Sequence, residues 1–304
     1  MWRASMRPRL KALLAVGRRD AGATEKLMRV LAMLIALALS SWTLASEPTL
    51  SISAGGNAKE YSAATLLGRS DAVSITVPND VSYRRSMTYR AVPLLALLQA
   101  PHASQFDTLE AHATDGFVAQ IPLELVTHGA NGGAIAYLAV EDPSHPWAAL
   151  PNEKKSAGPF YLVWDHPQRS NVRTEQWPYA LASIALAQSP VHRWPQLSLP
   201  ARHAADTAAA AGQKVFVTFC LPCHQLNGAG VGKVGPDLGQ PMNVTRYLTE
   251  AGLRAIVRNP AAVRTWPEQR MTGFDRKTLP DADLDALVAY LHAMSDTPKA
   301  AAAK

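Results

Sequence analysis

The two cysteines of the chain lie three positions apart and are followed at once by a histidine. Cys220, Cys223 and His224 belong to residues 220–224, CLPCH (the CLPCH segment). The spacing C-x-x-C-H is that of a c-type haem attachment site. Two thiols at this spacing can add across the two vinyl groups on one edge of a porphyrin, and the next imidazole can then bind the iron. The segment therefore predicts one covalent haem c with His224 as an axial ligand.

The same residues leave three other kinds of site open. A thioredoxin-like dithiol requires the C-x-x-C pair to open a helix after a strand, whereas here an alanine-rich helical pattern ends at the pair. A zinc site requires two further ligands at paired spacing, and His203 and His292 are poorly placed for that role. A plain disulfide between Cys220 and Cys223 is the third alternative. Haem attachment has the advantage that it also accounts for His224.

A methionine is the expected second axial ligand, because a thioether opposite an imidazole stabilises ferrous iron and raises the reduction potential. Three methionines follow the CLPCH segment: Met242, Met271 and Met294. Met271 lies on a predicted loop before the last helix, Met242 lies beside a proline, and Met294 lies near the end of the last helix. We predict Met271 as the ligand, with Met242 as the main alternative.

The elements that must position these residues are helical. The alanine-rich run over residues 206–219 predicts a helix, which Asp206 or Thr207 can cap. Residues 244–258 predict a second helix and residues 281–294 a third. In the third, four apolar side chains recur at the i, i+3, i+4, i+7 spacing of an amphipathic helix: Leu284, Leu287, Val288 and Leu291.

Residues 206–295 resemble class I cytochrome c. The matching positions are residues 211–212 and 216 before the CLPCH segment, residues 235–238 after it, residue 271, and residues 288–291 in the last helix. The resemblance implies an all-α domain around one haem, in which Gly212 and Phe216 meet Tyr290 where the first and last helices cross. It also implies that the Pro236 carbonyl accepts the second ring N–H of His224.

The same resemblance places Leu238 beside Pro236 in the haem pocket. The family often has proline directly after the ligand methionine, whereas this chain has Thr272 after Met271.

The first part of the chain, residues 46–188, has a mixed pattern that predicts an α+β domain. Alternating or continuous apolar runs predict strands at residues 49–53, 72–77, 117–121, 134–140 and 160–164. Short helical patterns cover residues 63–69 and 91–99. The predicted fold class is therefore an α+β N-terminal domain joined to an all-α cytochrome c domain.

The N-terminal domain resembles the molybdopterin-binding domain of the sulfite-oxidase family, particularly its small exported members. The resemblance rests on residues 89–94, 97–98, 114–117, 121–125, 136–138 and 158–163. Members of that family bind the metal through a cysteine thiolate, but residues 46–219 contain no cysteine. We therefore expect the fold without molybdopterin and assign no catalytic residue.

The remaining segments have no periodic pattern. Residues 189–205 contain three prolines and are predicted to be a linker, and residues 296–304 are predicted to be a flexible tail.

Residues 1–45 resemble an export signal, because a basic segment is followed by ten apolar residues and a cleavage site after Ala45. We predict that the true start is Met28. Ten residues span only about half of a bilayer, so a permanent membrane helix is expected only if the signal is not cleaved.

The net charge of +6 comes wholly from the export segment, which contains eight basic and two acidic residues. Residues 46–304 sum to zero, and nucleic acid is therefore not an expected partner. The sequence predicts a periplasmic electron carrier that exchanges single electrons with redox partner proteins. The alternatives are a molybdopterin-dependent dehydrogenase fused to its own haem acceptor, and a sensor or peroxidase-like protein with a labile sixth ligand.

Overall fold

Two β-sheets occupy residues 49–187 of the computed structural model, which describes residues 47–99, 101, 103 and 105–295. The first sheet has the strand order β2-β1-β9-β5-β6 and the second the order β3-β4-β7-β8. β1 and β9 run parallel, and the other neighbouring strands run antiparallel. The strands are β1 Thr49–Ala54, β2 Asn57–Ser62, β3 Val73–Val77, β4 Met87–Pro93, β5 Thr108–Ala113, β6 Val118–Pro122, β7 Ile135–Val140, β8 Phe160–Asp165 and β9 Leu181–Ala187.

The strands that the sequence predicted are confirmed as β1, β3, β6, β7 and β8. In β8 the five residues from Phe160 to Trp164 are fully buried, which is why this strand has a continuous apolar run and no alternation. Four further strands, β2, β4, β5 and β9, were not predicted. β5 and β9 are rich in alanine, a helix-favouring residue, and they form strands because they pair with each other and with further strands on both sides.

The helix predicted over residues 91–99 is wrong at its start. Residues 91–93 end strand β4, where they pair with β7 on one side, and Ala91 also pairs with β3 on the other. Only Leu94–Leu97 form a turn of 3-10 helix. Pairing on both edges therefore outweighs the local helical pattern.

Helices dominate the chain after β9. The α-helices of the described residues are α1 Ala63–Leu67, α2 Leu123–Thr127, α3 Pro190–Arg193, α4 Thr207–Phe219, α5 Val244–Tyr247, α6 Glu250–Arg258, α7 Pro260–Val263 and α8 Asp281–Met294. The prediction of α8 is confirmed at both ends, and the predicted cap of α4 is confirmed by the Ala209 N–H, which donates to the Asp206 carboxylate at 3.0 Å. The expectation of an α+β region followed by helices is thus confirmed, although the helices after α4 other than α8 are short.

The single helix predicted over residues 244–258 is wrong, because the structure has α5 and α6 there. Leu248 has extended backbone angles and ends α5. Thr249 then caps α6, with its hydroxyl accepting a hydrogen bond from the Gly252 N–H at 3.1 Å. A threonine that can cap a new helix thus interrupts the periodic pattern at this point.

α4 and α8 cross at the position that the resemblance to class I cytochrome c implied. A Cβ atom on Gly212 would lie 1.9 Å from the Ala286 carbonyl oxygen of α8, so only glycine permits this approach of the two backbones. One turn further along α4, the rings of Phe216 and Tyr290 have centroids 5.5 Å apart. The crossing therefore holds the first and last helices of the C-terminal domain together.

The described residues from Glu47 onward pack as one unit with two apolar cores, one within the sheets and one among the C-terminal helices. Residues 189–205, the predicted linker, contact both parts. Leu197 is completely buried in the helical core, and its carbonyl oxygen accepts hydrogen bonds from Tyr290 and Gln213. At the other end of the segment, Arg193 forms an ion pair with Glu110 of β5.

Within the described part of the chain, no helix is both long enough and apolar enough to span a bilayer. The predicted export segment (residues 1–45) and the predicted tail (residues 296–304) lie outside the described residues and stay predictions.

Replacing Gly212 by alanine tests the helix crossing. Helix propensity alone favours Gly212→Ala by about 1 kcal/mol. The added methyl group collides with the α8 backbone, however, and overpacking of this kind costs about 1–3 kcal/mol or more. We expect a net loss of unfolding free energy in urea titrations of the full chain. The control is Ala211→Gly at the exposed neighbouring position, where only the propensity cost of about 1 kcal/mol is expected. A Gly212→Ala protein as stable as the wild type would contradict the close crossing.

Neutralising the Glu110 carboxylate tests how residues 189–205 are held to the N-terminal domain. Burial acts to raise the pKa of Glu110, but hydrogen bonds from His112 and Arg193 outweigh it and lower the pKa from 4.5 to about 2. Since the folded-state pKa is the lower one, this stabilisation is complete above about pH 4.5 and is lost as the pH falls towards 2. We expect Glu110→Gln to lower the unfolding free energy by about 1–3 kcal/mol at pH 7.

The difference between wild type and Glu110→Gln should narrow as the pH falls from 5 to about 2, when both side chains become neutral. Glu60→Gln on the exposed face of β2 is the control and should change little. A difference between wild type and Glu110→Gln that is constant with pH would show that the Glu110 charge does not provide the stabilisation.

Candidate functional site

The CLPCH segment follows α4 without a break. Cys220 is the C-cap residue directly after that helix, and its N–H donates to the Phe216 carbonyl. The N–H groups of Cys223 and His224 then both donate to the Cys220 carbonyl, at 3.1 and 2.8 Å. Backbone hydrogen bonds thus wind the segment into a tight turn, which brings the two cysteines and the histidine together at the end of one rigid helix.

The His224 ring is oriented by one hydrogen bond. Its Nδ1 lies 2.8 Å from the Pro236 carbonyl oxygen, which is the contact that the resemblance implied. A carbonyl oxygen only accepts, so the proton is on Nδ1 and the lone pair is on Nε2, the nitrogen that binds iron in haem proteins. Burial also lowers the pKa of His224, which favours the neutral ring that a metal requires.

The loop that carries Pro236 is held by the Asp237 carboxylate. This side chain accepts hydrogen bonds from four backbone N–H groups of the loop, at distances of 2.6–3.0 Å: Asn227, Gly228, Gly239 and Gln240. The Leu238 N–H donates to the Gln225 carbonyl, which ties the loop to the residue after His224. Sequence reasoning gave Asp237 no role, and the number of its backbone partners is visible only in the folded loop.

A close approach of the loop to the CLPCH segment explains the glycine before Pro236. A Cβ atom on Gly235 would lie 2.4 Å from Cε1 of the His224 ring. The Gly235 N–H also donates to the Cys223 carbonyl at 2.8 Å. Leu238, the other predicted pocket residue, is half-buried against the helical core. The loop therefore covers one side of the imidazole and leaves Nε2 as its unprotonated nitrogen.

The two thiols are free in the structure. Burial raises the pKa of Cys223 to about 11 and raises that of Cys220 still further. Cysteines that act by thiol–disulfide exchange have lowered pKa values, so this environment does not favour the thioredoxin-like alternative. The zinc alternative also gains no support, because within the residues that the structure describes no cluster of three or more metal-binding side chains occurs.

The residues present fit a c-type haem. Two neutral thiols in an apolar setting lie beside an imidazole whose tautomer leaves a nitrogen lone pair for a metal.

The two candidate zinc ligands, His203 and His292, line a shallow cavity on the C-terminal domain together with Asp206. Neither cysteine lines that cavity. The structure thus separates these histidines from the CLPCH segment.

The three methionines have different environments. Met294 is 1% exposed and packs in the helical core, whereas Met242 is 52% exposed. Met271 is half-buried on an irregular segment between α7 and α8. Its neighbour Arg270 has its positive charge close enough to Cys223 to lower the pKa of that thiol, which brings this segment near the CLPCH segment. Met271 as the second axial ligand stays a prediction.

The N-terminal domain lies against the CLPCH segment, a feature that the sequence did not indicate. The Val118 N–H of β6 donates to the Pro222 carbonyl at 2.9 Å, so the outer edge of the five-stranded sheet is paired with the segment itself. Asp115, three residues before β6 begins, forms an ion pair with Arg270 at 3.3 Å. One face of the candidate haem site is therefore formed by the N-terminal domain.

Comparisons with known proteins agree with this geometry. No curated protein matches the chain. Residues 209–295 match the family model of cytochrome c, and this match contains the CLPCH segment, the Pro236 loop, Met271 and α8. The C-terminal part of the chain is therefore a cytochrome c domain.

Proposed function

We propose that this protein is a periplasmic c-type cytochrome that transfers single electrons through one covalently bound haem. The observation that carries the proposal is the His224 ring, which is held by Pro236 in the tautomer that binds iron and lies directly after two free thiols. The cytochrome c domain at residues 209–295 supports a role in electron transfer with redox partner proteins.

Each predicted site residue has a defined task in this proposal. Cys220 and Cys223 would hold the porphyrin through thioether bonds, and His224 and Met271 would supply the two protein ligands of its iron. The bound haem supplies one iron that cycles between the ferric and ferrous states. The Pro236 carbonyl keeps the His224 ring in place in both states, so that little rearrangement accompanies electron transfer.

Two filled axial positions favour electron transfer over catalysis at the haem. A substrate that reacts at the iron needs an open coordination position, and a His–Met pair leaves none. For this reason the sensor or peroxidase-like alternative requires that Met271 does not bind the iron or leaves it easily.

The N-terminal domain has the proposed task of binding a redox partner or a small ligand next to the haem. Its contact with the CLPCH segment through Val118 supports this task, because whatever binds to that domain is coupled to the haem domain by a direct backbone hydrogen bond. We propose a fold of the sulfite-oxidase type without the molybdopterin cofactor, since residues 46–219 contain no cysteine to bind the metal.

The periplasmic location is supported by the export pattern of residues 1–45. In bacteria, c-type haem is attached outside the cytoplasm, so the CLPCH segment and the export pattern support each other.

Removing the two thiols tests covalent attachment. When the chain is produced in a host that can mature c-type cytochromes, we expect the wild type to retain haem on a denaturing gel and to show the added mass of one haem. The double variant Cys220→Ser, Cys223→Ser should show the mass of the bare chain, because it has no thiol to bond to the porphyrin. A wild-type chain without the added mass would refute the proposal.

Metal analysis of the same sample should give one iron and no molybdenum per chain, and stoichiometric molybdenum would favour the dehydrogenase alternative.

Replacing the methionines one at a time tests the second axial ligand. We expect Met271→Ala to lower the reduction potential and to let the reduced protein bind carbon monoxide rapidly, because the sixth position opens. Met242→Ala, at a 52% exposed position, should leave both properties unchanged. A Met271→Ala protein with the potential and carbon monoxide reactivity of the wild type would show that Met271 is not the ligand.

A further inference from the structure

A turn of the N-terminal domain lies across the end of α4, where the CLPCH segment begins. Thr174–Gln176 form one turn of 3-10 helix (the Glu175 turn), which packs against β6 and α4. The turn is fixed on both sides, since the Trp164 indole N–H donates to the Gln176 carbonyl at 2.8 Å. On the other side Arg173 forms an ion pair with Asp283 of α8.

Arg173 brings the turn to the haem side of the domain junction. Its guanidinium carbon lies 5.0 Å from the centre of the Phe219 ring, a cation–π distance. Phe219 is the last residue of α4 and directly precedes Cys220. An ion pair and a ring contact from Arg173 to the cytochrome c domain therefore hold the turn that carries Glu175, two residues further on, close to the end of α4 at Phe219.

The Glu175 side chain is half-buried, and the positive charge of Arg173 acts on it. Within the part of the chain that the structure describes it forms no ion pair, and its hydrogen bond is to the Thr174 hydroxyl at 2.5 Å. The charge of Glu175 acts on both Cys220 and Cys223, and it raises the pKa of each thiol. Because the Glu175 turn packs against α4, a haem bonded to Cys220 and Cys223 would have its attached edge near this carboxyl group.

We propose that Glu175 helps to set the reduction potential of the haem from the neighbouring domain. The inference rests on the proposed function, because it requires a haem on Cys220 and Cys223. Ferric haem carries one more positive charge than ferrous haem, so an ionised carboxylate nearby stabilises the ferric state and lowers the potential. A protonated Glu175 lacks this effect, and oxidation of the haem therefore favours release of its proton to solvent.

The relevant pH range is near neutrality. Burial raises the pKa of Glu175 from 4.5 to about 7, although the Thr174 hydroxyl and the Arg173 charge act in the opposite direction. Among the elements packed against the Glu175 turn, β6 carries no titratable residue, and Lys214 of α4 is exposed. Cys220 and Cys223 do not titrate once they are thioethers. Asp283 and Asp115 are held at this junction in ion pairs with Arg173 and Arg270. Glu175 is thus a side chain at this junction whose charge changes near pH 7.

The test is a spectroelectrochemical titration of the haem-loaded full chain between pH 5.5 and 8.5. We expect the wild-type potential to fall as the pH rises through about 7, by at most about 59 mV per pH unit for one proton and one electron. Glu175→Gln should match the wild type at pH 5.5, where both side chains are neutral, and should have the higher potential at pH 8.5. The exposed control Glu60→Gln should follow the wild type throughout.

A Glu175→Gln profile that follows the wild type, or one that differs from it equally at every pH, would overturn the inference. If Glu175→Gln does not fold, the same titration of Thr174→Val tests the inference instead. Loss of the hydroxyl donor raises the pKa of Glu175, so the fall in potential should move to higher pH, and an unmoved profile would again overturn the inference. A wild-type chain without covalent haem refutes the proposed function itself. A haem-loaded chain whose reduction potential does not respond to substitution of Glu175 refutes only this inference.

Discussion

The hydrogen bond from His224 to the Pro236 carbonyl is the interaction on which the candidate site depends. It is 2.8 Å long and selects one tautomer of the ring, which leaves Nε2 without a proton. The bond requires a close approach of the loop to the CLPCH segment, and Gly235 permits it. It also requires the loop to keep its shape, and the hydrogen bonds of Asp237 to four backbone N–H groups hold that shape. The loop and the histidine thus form one rigid unit, as expected for a protein that transfers electrons with little rearrangement.

The same unit is built into the junction with the N-terminal domain. The Val118 N–H of β6 donates to the Pro222 carbonyl of the CLPCH segment, and Arg193, within residues 189–205, forms an ion pair with Glu110 of β5. The charges of Asp115 and Glu175 in the N-terminal domain consequently act on Cys223, and that of Glu175 also acts on Cys220. If the chain carries the proposed haem, changes in that domain, whether by ligand binding or by protonation, have a direct physical route to it.

The C-terminal domain was largely predictable because its signals are local. The cap of α4, the amphipathic stripe of α8 and the C-x-x-C-H spacing each involve residues close together in sequence. The Gly212 crossing with Tyr290 required the resemblance to cytochrome c, since it joins residues that are far apart in the chain. The split between α5 and α6 escaped prediction because the apolar pattern continues across Thr249.

In the N-terminal domain, runs of apolar and β-branched residues predicted β3, β7 and β8, whereas alanine-rich β5 and β9 depend on their partner strands and were missed. The sequence by itself therefore determined the chemistry of the CLPCH segment, the helices that flank it and the mixed character of the first domain. Only the tertiary structure decided that β6 lies against this segment and that Arg173, two residues before Glu175, contacts the Phe219 ring. Such contacts join residues over 40 positions apart, and no local pattern of residue types encodes which distant surfaces bury each other.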